Sequence, residues 1–160
     1  MNMRLYSGWI RNYTRLAALE ALISKSDIIF ESNNFFIIIP AYSACLNSVE
    51  RYDFRTKAWE TVAPLNLPRR ALMAVAMPDG IYAIGGFDGE NYLCTVERYD
   101  ETLNEWTFVS SMNYARCTFS AVASSDYQNI YVFGGFDNGP LNTAERYPCS
   151  FCRLNAQNLI

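Results

Sequence analysis

The segments Ile81–Gly89, IYAIGGFDG, and Ile130–Asn138, IYVFGGFDN, each place two adjacent glycines directly after an apolar run. A phosphate-binding loop needs its glycines between a strand and the N-terminus of a helix. Here the glycines precede strand-like sequence, FDGENYLCTVERYD in the first copy, and no Gly-Lys-Ser/Thr follows. The pairs therefore predict a turn that uses the positive φ and close backbone approach open to glycine.

The glycine pairs belong to a longer repeat with a period of roughly 50 residues. SVERYDFRTKAWETV (Ser48–Val62) aligns without a gap with TVERYDETLNEWTFV (Thr95–Val109), and TAERYP (Thr143–Pro148) begins a third copy. Each copy predicts short strands: an apolar run after an arginine, the glycine-terminated run, a Glu-Arg-Tyr strand and a Trp strand. Such spacing is typical of an all-β sandwich or propeller, and no helices alternate with the strands as a parallel βαβ sheet would require.

In this order of features the chain resembles the kelch repeat family. The matching residues are the glycine pairs, the strand tyrosines, the tryptophans and the arginines that begin two copies: Gly85, Gly86, Gly134, Gly135, Tyr52, Tyr99, Tyr147, Trp59, Trp106, Arg69 and Arg116. The resemblance implies that each repeat is one four-stranded antiparallel blade of a β-propeller.

The predicted organisation is a partial propeller preceded by a short helix. Residues 1–26 form the N-terminal segment, where leucines recur at helical spacing. Residues 27–147 hold the blades, at about 27–67, 68–114 and 115–147, and the last blade lacks its fourth strand. Residues 148–160 form a tail without a counterpart in the repeats.

The first blade departs from the pattern, because Ile38-Ile39 stands where we expect the glycine pair. A hairpin turning at Asn33-Asn34 is still predicted there, followed by a rebuilt loop at Pro40 or an irregular blade.

Closed propellers have about 4–8 blades, so this chain leaves two open blade faces. Three explanations of these open faces are compatible with the sequence. The chain is a fragment of a larger propeller, it pairs with another chain through its open faces, or its N-terminal segment caps one end of the propeller.

Several chemistries are disfavoured by composition. The net charge of −3 gives no basic footprint for nucleic acid, and no apolar run is long enough for a membrane span. The chain has no histidine, which disfavours a copper site like that of galactose oxidase and a His-based catalytic base. Cys149 and Cys152 have zinc-knuckle spacing without a second pair, so we expect no metal or other cofactor and reduced thiols in the cytoplasm.

The glutamates of the repeated Glu-Arg-Tyr strands stand on separate blades. We therefore expect inter-blade ion pairs there rather than an acid–base dyad. The tryptophans are expected to pack between repeats, because large aromatic side chains dominate core burial.

The resemblance implies a non-catalytic module that binds a protein partner through loops. Many relatives carry BTB and BACK domains and present substrates to cullin ubiquitin ligases, which here would require a longer parent or a partner chain; others bind actin. A truncated copy without its own role is a further alternative. The family's binding loops were matched to this sequence residue by residue. The matching positions are Arg69, Arg70, Arg116, Phe87, Asp88, Glu90, Asn91, Tyr92, Phe136, Asp137 and Asn138. For Arg69 and Arg116 there is an equal alternative, in which they only fix the loops by bonding backbone carbonyls.

Overall fold

The computed structural model describes the backbone of residues 28–31 and 35–39 and the full residues 44–53 and 55–149. This part of the chain contains β-strands and connecting loops but no helix. The predicted N-terminal helix and most of the tail lie outside the described residues. The strands are β1 Ile28–Glu31, β2 Phe35–Ile39, β3 Val49–Asp53, β4 Ala58–Val62, β5 Met73–Met77, β6 Gly80–Ile84, β7 Val96–Asp100, β8 Glu105–Val109, β9 Ser120–Ala123, β10 Asn129–Phe133 and β11 Ala144–Pro148.

The strands form three antiparallel sheets, which we call blades 1, 2 and 3. Blade 1 has the order β1-β2-β3-β4, blade 2 has β5-β6-β7-β8, and blade 3 has β9-β10-β11. The prediction of an all-β partial propeller is confirmed. Within the described residues, blade 3 consists of three strands.

The blades stack side by side around their first strands. Strand β5 packs against β1 on one side and against β9 on the other. A backbone hydrogen bond of 2.9 Å from the Thr118 N–H to the Ala71 carbonyl joins the starts of blades 2 and 3. The first strand of each blade therefore lies innermost, as in a propeller.

The hydrophobic core lies between the blades rather than inside any one of them. Since side chains alternate between the two faces of a strand, each blade offers one face to each neighbour. One core cluster joins blades 1 and 2 and the other joins blades 2 and 3. Blade 2 is thus covered on both faces, and its Tyr82 and Ile84 have no exposed surface. Repeat stacking of this kind provides the burial that a single sheet cannot achieve.

The strand register corrects the alignment of the first blade. Ile38 pairs with Glu50 on β3, whereas Ala83 pairs with Glu97 on β7. Ile38 is therefore the counterpart of Ala83, not of a glycine, and strand β2 runs on through Ile39. The position of the glycine pair therefore falls two residues later in the sequence than expected, outside the described residues. The uniform apolar run FFIII conceals this two-residue shift in the sequence.

One end of the stack carries the loops of interest, and we call it the glycine end. Strands β6 and β10 finish there with their glycine pairs, and the antiparallel neighbours β5 and β9 begin there. The loops that follow the glycine pairs and the segments that lead into the next blade therefore share one surface.

Candidate partner-binding surface

The first glycine pair forms a turn that only glycine fits. Gly85 and Gly86 have φ values of 56° and 104°. A Cβ on Gly85 would lie 2.6 Å from the Arg116 carbonyl oxygen, and a Cβ on Gly86 would lie 2.7 Å from the Arg70 carbonyl oxygen. The prediction of a structural turn is confirmed, because the glycines let backbone segments approach that a side chain would hold apart.

The loop after this pair is held by one carboxylate. Asp88 Oδ1 accepts hydrogen bonds from the backbone N–H groups of Glu90, at 2.8 Å, and Asn91, at 2.7 Å. These bonds, that from Asn91 first, lower the pKa of Asp88 below its ordinary value. The loop closes where the Leu93 N–H donates to the Gly86 carbonyl at 2.9 Å. It is therefore ordered by its own contacts, and Glu90 and Asn91 are exposed at its tip.

Three aromatic rings form a row across the glycine end, and we call it the aromatic row. The ring centroids of Phe87 and Tyr92 are 5.0 Å apart, and those of Tyr92 and Phe136 are 5.7 Å apart. The guanidinium carbon of Arg70 lies 5.1 Å from the centroid of Phe87. Phe136 belongs to blade 3, so the row crosses the boundary between two blades.

The loop of blade 3 repeats this arrangement with variations. Phe136 pairs with Cys117 through reciprocal backbone hydrogen bonds of 3.1 and 2.9 Å. Asn138 has a φ of 54°, a conformation that asparagine tolerates better than most residues. Its side-chain amide donates to Asp137 Oδ1 at 3.1 Å. The predicted residues Phe136, Asp137 and Asn138 thus lie together on the surface, next to the loop of blade 2.

Arg69 is buried beneath this surface. Its side chain has no exposed surface, and it donates from Nη1 to the Gly85 carbonyl at 2.8 Å and from Nη2 to Glu97 Oε1 at 2.7 Å. Burial lowers the pKa of Arg69, opposed by the charge of Glu97, but a guanidinium remains a cation at neutral pH. A partner on the glycine end does not reach this side chain in the described conformation.

Arg116 has the same place in blade 3. It is also without exposed surface, donates to the Gly134 carbonyl and forms an ion pair of 2.9 Å with Glu145. These contacts agree with the alternative in which the two arginines fix the loops by bonding backbone carbonyls. Arg69 and Arg116 support the turn on which each loop stands, and Arg70 is the predicted arginine that is exposed.

Two asparagines complete these ion pairs, and the sequence reasoning missed them. Glu97 Oε2 accepts from the Asn66 backbone N–H at 2.7 Å and from its side-chain amide at 2.9 Å. Asn113 makes the same two bonds to Glu145 Oε2. An Asn three residues before the arginine occurs in both copies, and this spacing was the available signal. We call each set of Asn, Arg and Glu a clamp.

The expectation of inter-blade ion pairs is only partly met. The buried glutamates bind the arginine that begins their own blade, and Arg98 lies 3.5 Å from Asp79 in the same blade. One pair does cross between blades, where Arg51 Nη1 lies 3.6 Å from Glu101 Oε1.

The two tryptophans differ in their surroundings. Trp106 is 5% exposed, packs on Tyr99 and donates from Nε1 to the Ala63 carbonyl of the preceding blade at 2.9 Å. Packing between repeats is confirmed for this residue. Trp59 packs on Tyr52 and remains 43% exposed, so packing between repeats stays a prediction for this residue. Blade 1 has no described blade on that side.

Clusters of metal ligands and helices that could span a membrane are absent from the described parts of the chain. Residues 44–53 and 55–149 contain no group of three or more Cys, Asp or Glu side chains placed to hold a metal ion. The described segments also include no helix that is long and apolar enough to cross a bilayer. Cys149 is buried, and Cys152 lies outside the described residues.

Stacked antiparallel blades with loops displayed at one end define a partial β-propeller. The Kelch motif model matches residues 41–66, 68–113 and 116–151, which is well over half of the chain. The chain belongs to the kelch repeat family.

Known proteins with similar sequences include Kelch-like proteins. The chain is 48% identical to mouse Kelch-like protein 1 and 44% identical to human Kelch-like protein 4, in each case over 59 residues. Each match covers 35% of this chain and 8% of the relative. A Xenopus laevis protein named "Influenza virus NS1A-binding protein homolog" is 40% identical over 47 residues, or 29% of this chain and 7% of that protein. The chain therefore matches a small part of the length of these relatives.

Proposed function

We propose that this chain is a non-catalytic protein-interaction module whose contact surface is the glycine end. The aromatic row carries the proposal, because it places three adjacent rings on hydrogen-bonded loops at the glycine end, with Phe136 exposed and Phe87 and Tyr92 half-buried. Aromatic residues and arginine are the favoured anchors of protein interfaces, and loops on a rigid β scaffold usually carry function. Kelch-like relatives and a relative named for binding NS1A of influenza virus support a protein as the partner.

The charge of this surface favours a partner with basic and apolar side chains. Since Arg69 and Arg116 are buried, Arg70 is the cation that remains among the candidate residues. The same loops also carry three carboxylates, those of Asp88, Glu90 and Asp137. A basic residue of the partner beside the acidic loop tips would add electrostatic complementarity, which mainly raises the association rate and the specificity.

A more specific role, the selection of substrates for a ubiquitin ligase, is proposed by analogy with the family. In the presence of BTB and BACK domains, supplied by a longer chain or a partner, this surface would select substrates for a cullin ubiquitin ligase in the cytoplasm. A cosedimentation assay with actin filaments distinguishes this ubiquitin-ligase role from actin binding. Co-purification with a cullin and no cosedimentation is the expected result. Cosedimentation that depends on the aromatic row would favour actin instead.

The contact surface can be tested with matched variants in an affinity capture. The double variant Tyr92→Ala with Phe136→Ala removes two rings of the row. Tyr127→Ala is the control, because Tyr127 is 52% exposed in the β9–β10 turn, at the opposite end of the blades. We expect the double variant to lose the partners that wild type and control retain, with all three proteins folded by circular dichroism.

Two results would contradict the proposed surface. One is an identical set of partners for the double variant and the wild type. The other is an equal loss of partners in the Tyr127→Ala control, which would place the contact away from the glycine end.

A further inference from the structure

Blades 2 and 3 hold an equivalent phenylalanine at the glycine end in two different settings. Phe87 pairs with Arg70 through reciprocal backbone hydrogen bonds, and Phe136 pairs in the same way with Cys117. Cys117 therefore stands at the position of Arg70. In blade 2 the guanidinium carbon of Arg70 lies 5.1 Å from the centroid of the Phe87 ring. Blade 3 has a thiol at this position, and the described residues place no cationic side chain over the ring of Phe136, which is 38% exposed.

The carboxylate that follows each ring also differs between the two loops. Asp88 Oδ1 accepts from two backbone N–H groups, and one of them belongs to Asn91, three residues later. The residue three positions after Asp137 is Pro140, which has no N–H to donate. Asp137 Oδ1 accepts from the side-chain amide of Asn138 at 3.1 Å, and within the described residues its Oδ2 accepts no hydrogen bond. The half-buried Asp137 thus keeps one oxygen available for a donor from outside the chain.

An exposed ring beside an available carboxylate oxygen suits one kind of side chain. A guanidinium is planar, so it can stack on an aromatic ring while the N–H groups in its plane donate to a carboxylate. The ammonium of lysine is a compact, strongly hydrated charge without this flat shape. An apolar side chain would cover the ring but would leave the carboxylate without a donor. Blade 2 already contains the first of these contacts, between Arg70 and Phe87.

We propose that Phe136 and Asp137 bind an arginine side chain of the protein partner. The guanidinium stacks on the exposed ring of Phe136, as Arg70 stacks on Phe87, and donates to Asp137 Oδ2. We call these two residues the arginine site. The inference rests on the proposed function, because it names one anchor residue that the partner brings to the glycine end.

The probe is a pair of capped tripeptides, acetyl-Leu-Arg-Leu amide and the same peptide with citrulline in place of arginine. Citrulline keeps the planar end group and carries no charge. Binding to the full chain is followed by NMR through the backbone amide signals of residues 136–138. We expect the arginine peptide to shift these signals. The citrulline peptide should bind about three- to thirtyfold more weakly, because it lacks a cation–π contact and an exposed ion pair.

The variant Cys117→Arg supplies a guanidinium from within the chain. Because Cys117 holds the position of Arg70, the new side chain is expected to occupy the ring of Phe136. Binding of the arginine peptide should then fall to the level of the citrulline peptide. Cys117→Ser is the matched control, and we expect it to bind like the wild type. If Cys117→Arg does not fold, Asp137→Asn takes its place, with an expected loss of affinity of about two- to fivefold.

Fluorinated phenylalanine analogues at position 136 distinguish a cation–π contact from an apolar contact. Each fluorine withdraws electron density from the face of the ring and so weakens its attraction for a cation, while the apolar area is retained. We expect the affinity for the arginine peptide to fall with each added fluorine. An affinity that stays constant or rises along this series would overturn the proposed stacking.

Failure of the arginine site is distinguishable from failure of the proposed function. Equal affinities of the arginine and citrulline peptides, or unchanged binding by a folded Cys117→Arg chain, would overturn the arginine site. If the partners captured from cells still depend on the aromatic row, the glycine end would remain the contact surface without an arginine anchor. The proposed function fails instead if the affinity capture finds the same partners with and without the two rings, whatever the peptides do.

Discussion

Trp59 and Trp106 provide an internal comparison, because the same residue occupies equivalent positions in two blades with different cover. We consider Trp106→Ala and Trp59→Ala, each as a single substitution in the otherwise unchanged chain. The comparison isolates what burial between blades contributes to stability.

The expected magnitudes follow from burial. A fully covered Trp side chain buries about 200 Å², which at about 25 cal/mol per Å² corresponds to about 5 kcal/mol. Trp106 is 5% exposed and also donates a hydrogen bond to Ala63, so we expect Trp106→Ala to lower the free energy of unfolding by about 4 kcal/mol. Trp59 leaves 43% of its surface in water, and we expect Trp59→Ala to lower it by about 2 kcal/mol.

The assay is urea denaturation followed by circular dichroism, with the dependence of the unfolding free energy on urea compared between variants. A loss at least about 2 kcal/mol larger for Trp106→Ala than for Trp59→Ala is expected. Equal losses, or a larger loss for Trp59→Ala, would refute the packing of blade 2 on blade 1 through Trp106.

Three further predictions concern the clamp, the glycine turn and a buried phenol. Glu97→Ala should lower the free energy of unfolding by about 3–5 kcal/mol, because it leaves a buried guanidinium unpaired. Glu60→Ala removes an exposed ion pair and should lower it by no more than about 1 kcal/mol. Similar losses for the two variants in urea denaturation would contradict the clamp. Gly85→Ala should lower the free energy of unfolding by about 1–3 kcal/mol more than Gly134→Ala. Both glycines have positive φ, but of the two only Gly85 would bring the new Cβ to 2.6 Å from a carbonyl oxygen. Equal shifts of the melting temperature in the two variants would disprove the close approach. Burial raises the pKa of Tyr147, so its contribution to stability is fully present below the unfolded pKa of about 10 and is lost as the pH rises above that value. Tyr147→Phe should therefore weaken the fall in stability between about pH 9 and 11, and an unchanged slope would count against it.

The sequence predicts the repeat well because its signals are local. The glycine pairs, the Glu-Arg-Tyr strands and the tryptophans recur in a fixed order, and strands β3 to β11 lie where the pattern indicates. Local pattern fails in blade 1, where FFIII is equally apolar in any register. Only pairing with β3 shows that Ile38 corresponds to Ala83.

The surface was harder to predict, because exposure depends on partners far along the chain. Arg69 and Arg70 are adjacent and both suit an interface, but a glutamate 28 residues later takes one of them into the interior. Likewise, the aromatic row joins Tyr92 to Phe136 of the next blade, a contact that no local pattern contains. The candidate loops were predicted from the repeat, while their arrangement required the stacked blades.

The most direct test of the central claim is site-specific photo-crosslinking from the glycine end. A photoreactive phenylalanine analogue replaces Phe136 in one protein and Tyr127, at the opposite end of the blades, in the other. If the aromatic row is the contact surface, partners crosslink through position 136 and not through position 127, and Arg70→Ala weakens the crosslink. Crosslinks through position 127, or equal yields from both positions, would contradict the assignment of the glycine end as the partner-binding surface.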